Sequence, residues 1–183
     1  MYNMTESSIT LNFPDSNFFR FEDCKGYKDI QDNFKEMDVC WYEEATNTLY
    51  IIELKDWKDG KLIEETDLDF PKESIIEKKS KISISNISIL VKKSLDSVSM
   101  FMSMLLEKPY SATIQACSPF TINKTTKIKL LSIINWTSAD QTYISVINSA
   151  YKSKFKPYAK LYDIKTFVLM TKQQAMQAYN WIS

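Results

Sequence analysis

The clearest pattern along the chain is a pair of strand-like segments, MDVCWYEEATNTLYIIELKDW, residues 37–57. Val39, Trp41, Tyr50, Ile52 and Leu54 fall on one face at period two, and Leu49 and Ile51 make the second segment apolar on both sides. A strand apolar on both sides is one covered on two faces, as in the centre of a sheet. The polar stretch between the segments predicts a hairpin centred between Ala45 and Thr46. Glu43 then faces Thr48, the loop runs from Glu44 to Asn47, and Asp38 falls opposite Glu53. Residues two apart on a strand share a face, so Lys55 points the same way as Glu53.

Elsewhere the period changes. Residues 8–13 and 17–22 read as short strands about the Pro14-Asp15 turn, and residues 25–34 as a loop or short helix. Trp57 to Lys61 is a turn signal, and the acidic run Glu64 to Asp69 reads as a solvated loop. Ile84, Ile87, Val91, Leu95, Val98, Met102 and Leu105 then recur every three or four residues. That spacing predicts a long amphipathic helix, bounded by Pro71 and Pro109 and packed on the sheet. Residues 82–89 also alternate as ISISNISI, which leaves a strand or a helix break there open. Residues 127–136 predict a strand, 140–154 a helix with Tyr143, Ile147 and Ala150 on its stripe, 166–170 a strand, and 172–181 a helix. The expected fold is α/β, a mixed central sheet flanked by helices, formed as one domain over residues 1–183. The one place for a boundary lies near residues 108–124.

Composition narrows the chemistry. There is no histidine among the 183 residues, which removes histidine triads, histidine-ligated zinc and imidazole acid–base catalysis. Two glycines, Gly26 and Gly60, cannot build a glycine-rich phosphate loop. Cys24, Cys40 and Cys117 are widely spaced and odd in number, and read as reduced thiols, with Cys40 a buried one on the face of Asp38. No segment is long and apolar enough to span a bilayer and no signal-peptide pattern opens the chain, so a cytoplasmic protein with no membrane partner is expected. The net charge is zero but uneven. Residues 1–90 hold 19 acidic and 11 basic side chains and residues 91–183 hold 4 and 12, or −8 against +8. A basic half suits a nucleic-acid backbone, and equally suits balance between the halves or head-to-tail association. Lys152, Lys154, Lys156, Lys160 and Lys165 interleave with Tyr151, Phe155, Tyr158 and Tyr162. They can grip a single strand, although a helix with aromatics inward and lysines outward is the favoured reading.

Asp38, Glu53 and Lys55 carry the candidate chemistry. Mg²⁺ takes oxygen ligands, often one or two carboxylates completed by water and phosphate. Asp38 and Glu53 suit that role, and the Leu54 carbonyl can add to it. Lys55 can orient a water or stabilise a phosphoryl transition state, and carboxylates beside it favour its charged form. Glu-x-Lys at a strand end is also common surface decoration.

The pattern of Asp38, about fifteen residues, then Glu53-Leu54-Lys55 after an apolar strand resembles the PD-(D/E)xK nuclease superfamily, with the restriction-endonuclease-like fold. The resemblance implies a phosphodiesterase cleaving DNA or RNA with Mg²⁺ or Mn²⁺ held by the Asp and Glu, and a Lys assisting the water. It implies a further acid upstream, best matched by Glu22, with Glu36 and Glu43 behind it. It also implies that the helix after Glu-x-Lys packs behind the active strand, which makes Lys78, Lys81, Ser85 and Lys92 candidates to approach the site. The motif departs from the family in having Met37, not proline, before Asp38. That departure supports the alternative of a catalytically inactive nuclease-like binding or accessory protein. A third reading is a dimerisation module, a homodimer or a protein partner meeting Met100, Phe101, Met102 and Met104 on the helix.

Overall fold

The computed structural model describes residues 2–57, 75–136 and 141–183, without the side chains of residues 57, 75–85 and 141–143. Strands β1 (Tyr2–Glu6) and β2 (Ile9–Phe13) form a two-stranded hairpin. A five-stranded sheet follows the order β3 (Phe18–Phe19), β4 (Val39–Glu43), β5 (Thr48–Trp57), β6 (Lys127–Trp136) and β7 (Thr166–Thr171). The first three strands pair antiparallel and the last three parallel. Parallel neighbours need crossovers. These are α2 (Ile75–Leu105) between β5 and β6, and α4 (Gln141–Leu161) between β6 and β7. Helices α1 (Lys25–Lys28), α3 (Ser111–Gln115) and α5 (Lys172–Ala178) complete the chain. The expected α/β architecture with a mixed sheet and flanking helices is what forms.

Two apolar layers hold it. Leu49, Ile51, Leu130 and Ile134 face α2 and α4, meeting Ile87, Leu90, Val98, Phe101, Tyr151 and Phe155. On the other side Val39, Trp41, Tyr50, Ile52, Leu54 and Ile133 meet the β1–β2 hairpin, Ala175 of α5 and Trp181. Strands β5 and β6 are thus covered on both faces, which explains their nearly unbroken apolar runs.

Residues 82–89 are helical, as the three-to-four spacing predicts, and the strand or break left open at ISISNISI does not form. Several other expectations need correction. The buried face of α2 runs through Ile87, Leu90, Ser94, Ser97, Val98, Phe101 and Met104, while Val91, Leu95, Met102 and Leu105 are half-buried. Met100, Phe101 and Met104 belong to the core, so they offer no contact surface for a partner. The strand expected over 17–22 is only Phe18–Phe19, followed by a 3₁₀ turn at Phe21–Asp23. Strand β1 was not anticipated. Helix α4 passes Pro157 and continues to Leu161, because Phe155 and Ala159 extend the buried stripe of Tyr151 and offset the roughly 3 kcal/mol that an interior proline costs. The carboxy-terminal helix stops at Ala178.

Cys24 and Cys117 form a disulfide across 93 residues, not the reduced pair expected, while Cys40 is a buried thiol. The bridge ties α1 to α3. Gly26 lets them approach, since a Cβ there would stand 2.8 Å from the Thr113 backbone. The turn at 57–61, the acidic run 64–69 and Pro71 lie largely or wholly outside the described residues, as do the side chains of Lys78, Lys81, Ile84, Ser85 and Tyr143.

Candidate active site

The β4–β5 register is the predicted one, with Val39 opposite Ile52 and Glu43 opposite Thr48. The tip is a 3₁₀ turn over Glu44–Thr46 closed by Asn47 at φ 50°, a left-handed conformation that asparagine tolerates better than most residues. Asn47 is held from three directions. Its Oδ1 accepts from Tyr42 Oη at 3.0 Å and Thr126 Oγ1 at 2.8 Å, its Nδ2 donates to Thr125 Oγ1 at 3.0 Å, and its carbonyl accepts from Lys127 N at 2.9 Å. Fastening the tip to the start of β6 fixes the register that sets Asp38 against Glu53.

Asp38 lies one residue before β4, where the β4–β5 ladder has ended and β5 runs on. Its Oδ2 accepts from Leu54 N at 2.6 Å, replacing the missing ladder bond. Its backbone carbonyl accepts from Arg20 Nε at 3.3 Å. The loop leading into Asp38 is strapped to α2, with Lys35 N donating to Asp96 Oδ2 at 2.8 Å and Met37 N to Ser97 Oγ at 2.9 Å.

Glu53 is wholly enclosed. Its Oε1 accepts from Lys55 Nζ at 2.8 Å and from Lys93 Nζ at 2.7 Å. Lys93 also reaches Asp38 Oδ1 at 3.4 Å, so one ammonium bridges both carboxylates. Oε2 of Glu53 is buried with no hydrogen-bond partner among the described residues. Burial is the main force on this carboxyl, reinforced by the charge of Asp38 and opposed by Lys93 and Lys55, and it pushes the pKa up from 4.5 to about 7. Beside Glu53 lie buried Ser132, its partner on β6, and buried Tyr151, which shares a 2.9 Å hydrogen bond with Ser94.

Asp38, Glu53 and Lys55 therefore come together as the sequence predicts. The other candidates are placed differently. Glu22 is half exposed and pairs with Arg20, which also pairs with Glu6 at 3.2 Å. Glu36 accepts from Tyr27, and Glu43 lies at the hairpin end with Thr46 and Tyr50. The Leu54 carbonyl accepts from Ser7 Oγ at 3.2 Å. Lys92 turns outward to Asp96 and the Asn33 carbonyl. Among the described residues no three acidic or cysteine side chains gather closely enough to hold a metal together.

Two participants were missed. Lys93 follows Lys92, and only the true buried face of α2 distinguishes them. Glu6, at the end of the unanticipated β1, has its pKa raised by burial first and then by Asp38, with Arg20 and Lys55 acting the other way.

No family model, no curated protein and no solved structure matches the chain. No helix among the described residues is long and apolar enough to cross a membrane.

Proposed function

We propose that the chain is a metal-dependent phosphodiesterase with a restriction-endonuclease-like fold, cleaving DNA or RNA. The observation that carries this reading is the Asp38–Glu53 pair with Lys55 beside it and the buried Glu53 Oε2 atom, which has no hydrogen-bond partner among the described residues. In its support, α2 follows Glu-x-Lys and packs behind the strand that bears it, as the resemblance implies. The donor set fits Mg²⁺ or Mn²⁺ in type and number, since Mg²⁺ commonly takes one or two carboxylates and leaves its other positions to water and phosphate. Asp38 and Glu53 would hold the ion, with the unpartnered Oε2 as an available oxygen. The ion would supply a water of lowered pKa and charge neutralisation at phosphate. Lys55, about one-third exposed, is the cation positioned to meet a phosphate or water from the solvent side.

Lys152, Lys154, Lys156 and Lys160 are exposed on α4 and Lys165 just before β7, with Tyr151 and Phe155 in the core. Two adjoining hollows meet at Asp163 and Lys165. One is lined by Lys152, Lys156 and Lys160 and the other by Lys124, Lys127 and Lys129. Asp163 is the one acid lining either among the described residues, and it pairs with Lys165. A basic trough of this kind suits a phosphate backbone.

The test is cleavage of mixed single- and double-stranded DNA and RNA with Mg²⁺ or Mn²⁺ against an EDTA control. Asp38→Asn and Lys55→Ala should each lower the rate on the order of 10²–10³ or more. Full activity in folded Asp38→Asn protein refutes the assignment. No cleavage by the wild type moves the conclusion to the second reading, a nuclease-like binding protein without catalysis. Lys93 favours that reading, because its ammonium already bridges the two carboxyl groups that a metal would need.

A further inference from the structure

We propose that Lys93 is a resident counter-cation of the Asp38–Glu53 pair, which a divalent metal must displace and which then becomes a ligand for the substrate phosphate. This rests on the metal-dependent reading of the site.

Among the described residues Lys93 is the one cation within 4.0 Å of both carboxylates, at 2.7 Å from Glu53 and 3.4 Å from Asp38. Its side chain is 16% exposed and that of Glu53 is fully buried, so these contacts replace water. Lys55 shares Oε1 of Glu53 with it. With two lysines against two carboxyl groups, no net negative charge is left for an entering ion to meet. A divalent cation reaching both carboxylates would lie against the Lys93 ammonium, and the repulsion in so dry a place is large. Lysine is a point charge on a flexible four-carbon stem, so Lys93 can move while its backbone remains in α2.

Electrostatics limits where the displaced ammonium can settle. Neighbouring Lys92 already holds Asp96 and the Asn33 carbonyl. A phosphodiester at the metal would bring the anionic oxygens that Lys93 has lost. Metal and phosphate should therefore favour one another's binding, because each relieves the lysine that the other disturbs, and such coupling is reciprocal. In this arrangement α2, and not only the strands, sets metal affinity.

The experiment measures Mn²⁺ affinity from the free-ion electron paramagnetic resonance signal of wild type, Lys93→Met, Lys93→Gln and Asp38→Asn proteins. Circular dichroism checks that each is folded. Both Lys93 variants should bind Mn²⁺ about tenfold or more tightly than wild type, as loss of an adjacent positive charge requires, and Asp38→Asn should bind more weakly. Equal or weaker binding by the folded Lys93 variants overturns the role of Lys93 and leaves the metal reading standing. Absence of Mn²⁺ binding in wild type and both Lys93 variants instead removes the metal reading, and this inference with it. Should both variants fail to fold, the wild type decides. Its hydrogen-bonded Lys93 ammonium resonance should shift or vanish as Mg²⁺ saturates the protein, and a resonance that does not move overturns the proposal.

Discussion

Replacing Glu53 with glutamine should change how stability depends on pH, by an amount the structure sets. Glu53 is fully buried, and burial and Asp38 together outweigh its two lysine partners, so its pKa stands near 7 in the folded chain against 4.5 as the ordinary value. A raised carboxyl pKa means that the folded state holds a proton which the unfolded state releases first. The stabilisation from protonated Glu53 is fully present below about pH 4.5 and is lost as pH rises through about 7. At about 1.4 kcal/mol for each pH unit across this window, the loss is on the order of 3 kcal/mol. Glutamine keeps the shape and hydrogen-bonding capacity but cannot ionise. The assay is urea unfolding of wild type and Glu53→Gln in EDTA, from below pH 4.5 to above pH 7. Carboxylates common to both proteins, Glu6 among them, largely cancel in the difference. The stability of the variant relative to wild type should climb by about 3 kcal/mol across that window and then level off. A flat difference would show that Glu53 titrates as an ordinary surface carboxylate, and would refute the burial argument.

The Cys24–Cys117 bridge closes a separation of 93 residues, so Cys24→Ser, or reduction of the wild type, should cost about 2–5 kcal/mol. Thermal unfolding with and without reductant checks this, and identical midpoints would rule out a stabilising bridge. If the lysine trough meets phosphates, joint replacement of Lys152, Lys156 and Lys160 by glutamate should weaken binding of a single-stranded oligonucleotide. It should also reduce the slope of log K against log salt by about 2, three lost contacts at about 0.7 each. Fluorescence anisotropy over a salt series measures it, and an unchanged slope would place the nucleic acid elsewhere.

What was legible in the sequence was local. The β4–β5 hairpin declares its register because the turn residues sit between two period-two patterns, and a slip of one residue would turn Trp41 and Tyr50 to the wrong face. Strand β6 declares itself by an apolar run broken only by Ser132, from Leu130 to Ile134. Strand β1 was hidden because its side chains are exposed or half-buried and its pairing with β2 leaves little apolar periodicity, so Glu6 was hidden with it. The disulfide joins two short helices distant in sequence, and nothing near either cysteine announces the other.

The rotation of α2 is the more instructive failure, because it decides which lysine reaches the site. A stripe drawn through apolar residues alone puts Val91 and Leu95 inward and passes over Ser94 and Ser97. Burying a serine costs little where its hydroxyl is satisfied. Ser94 donates to the Leu90 carbonyl at 2.8 Å and meets Tyr151, and Ser97 accepts from Met37 N. Both serines therefore belong to the buried face, which shifts its axis toward 90, 94, 97 and 101. On that axis Lys93 flanks the seam and extends to Asp38 and Glu53, while Lys92 faces solvent. The same rotation brings Asp96 and Ser97 to the loop that delivers Asp38. The two small hydroxyls that obscured the helix face thus act on both halves of the site: they let α2 approach the sheet, and one of them holds the backbone just ahead of Asp38.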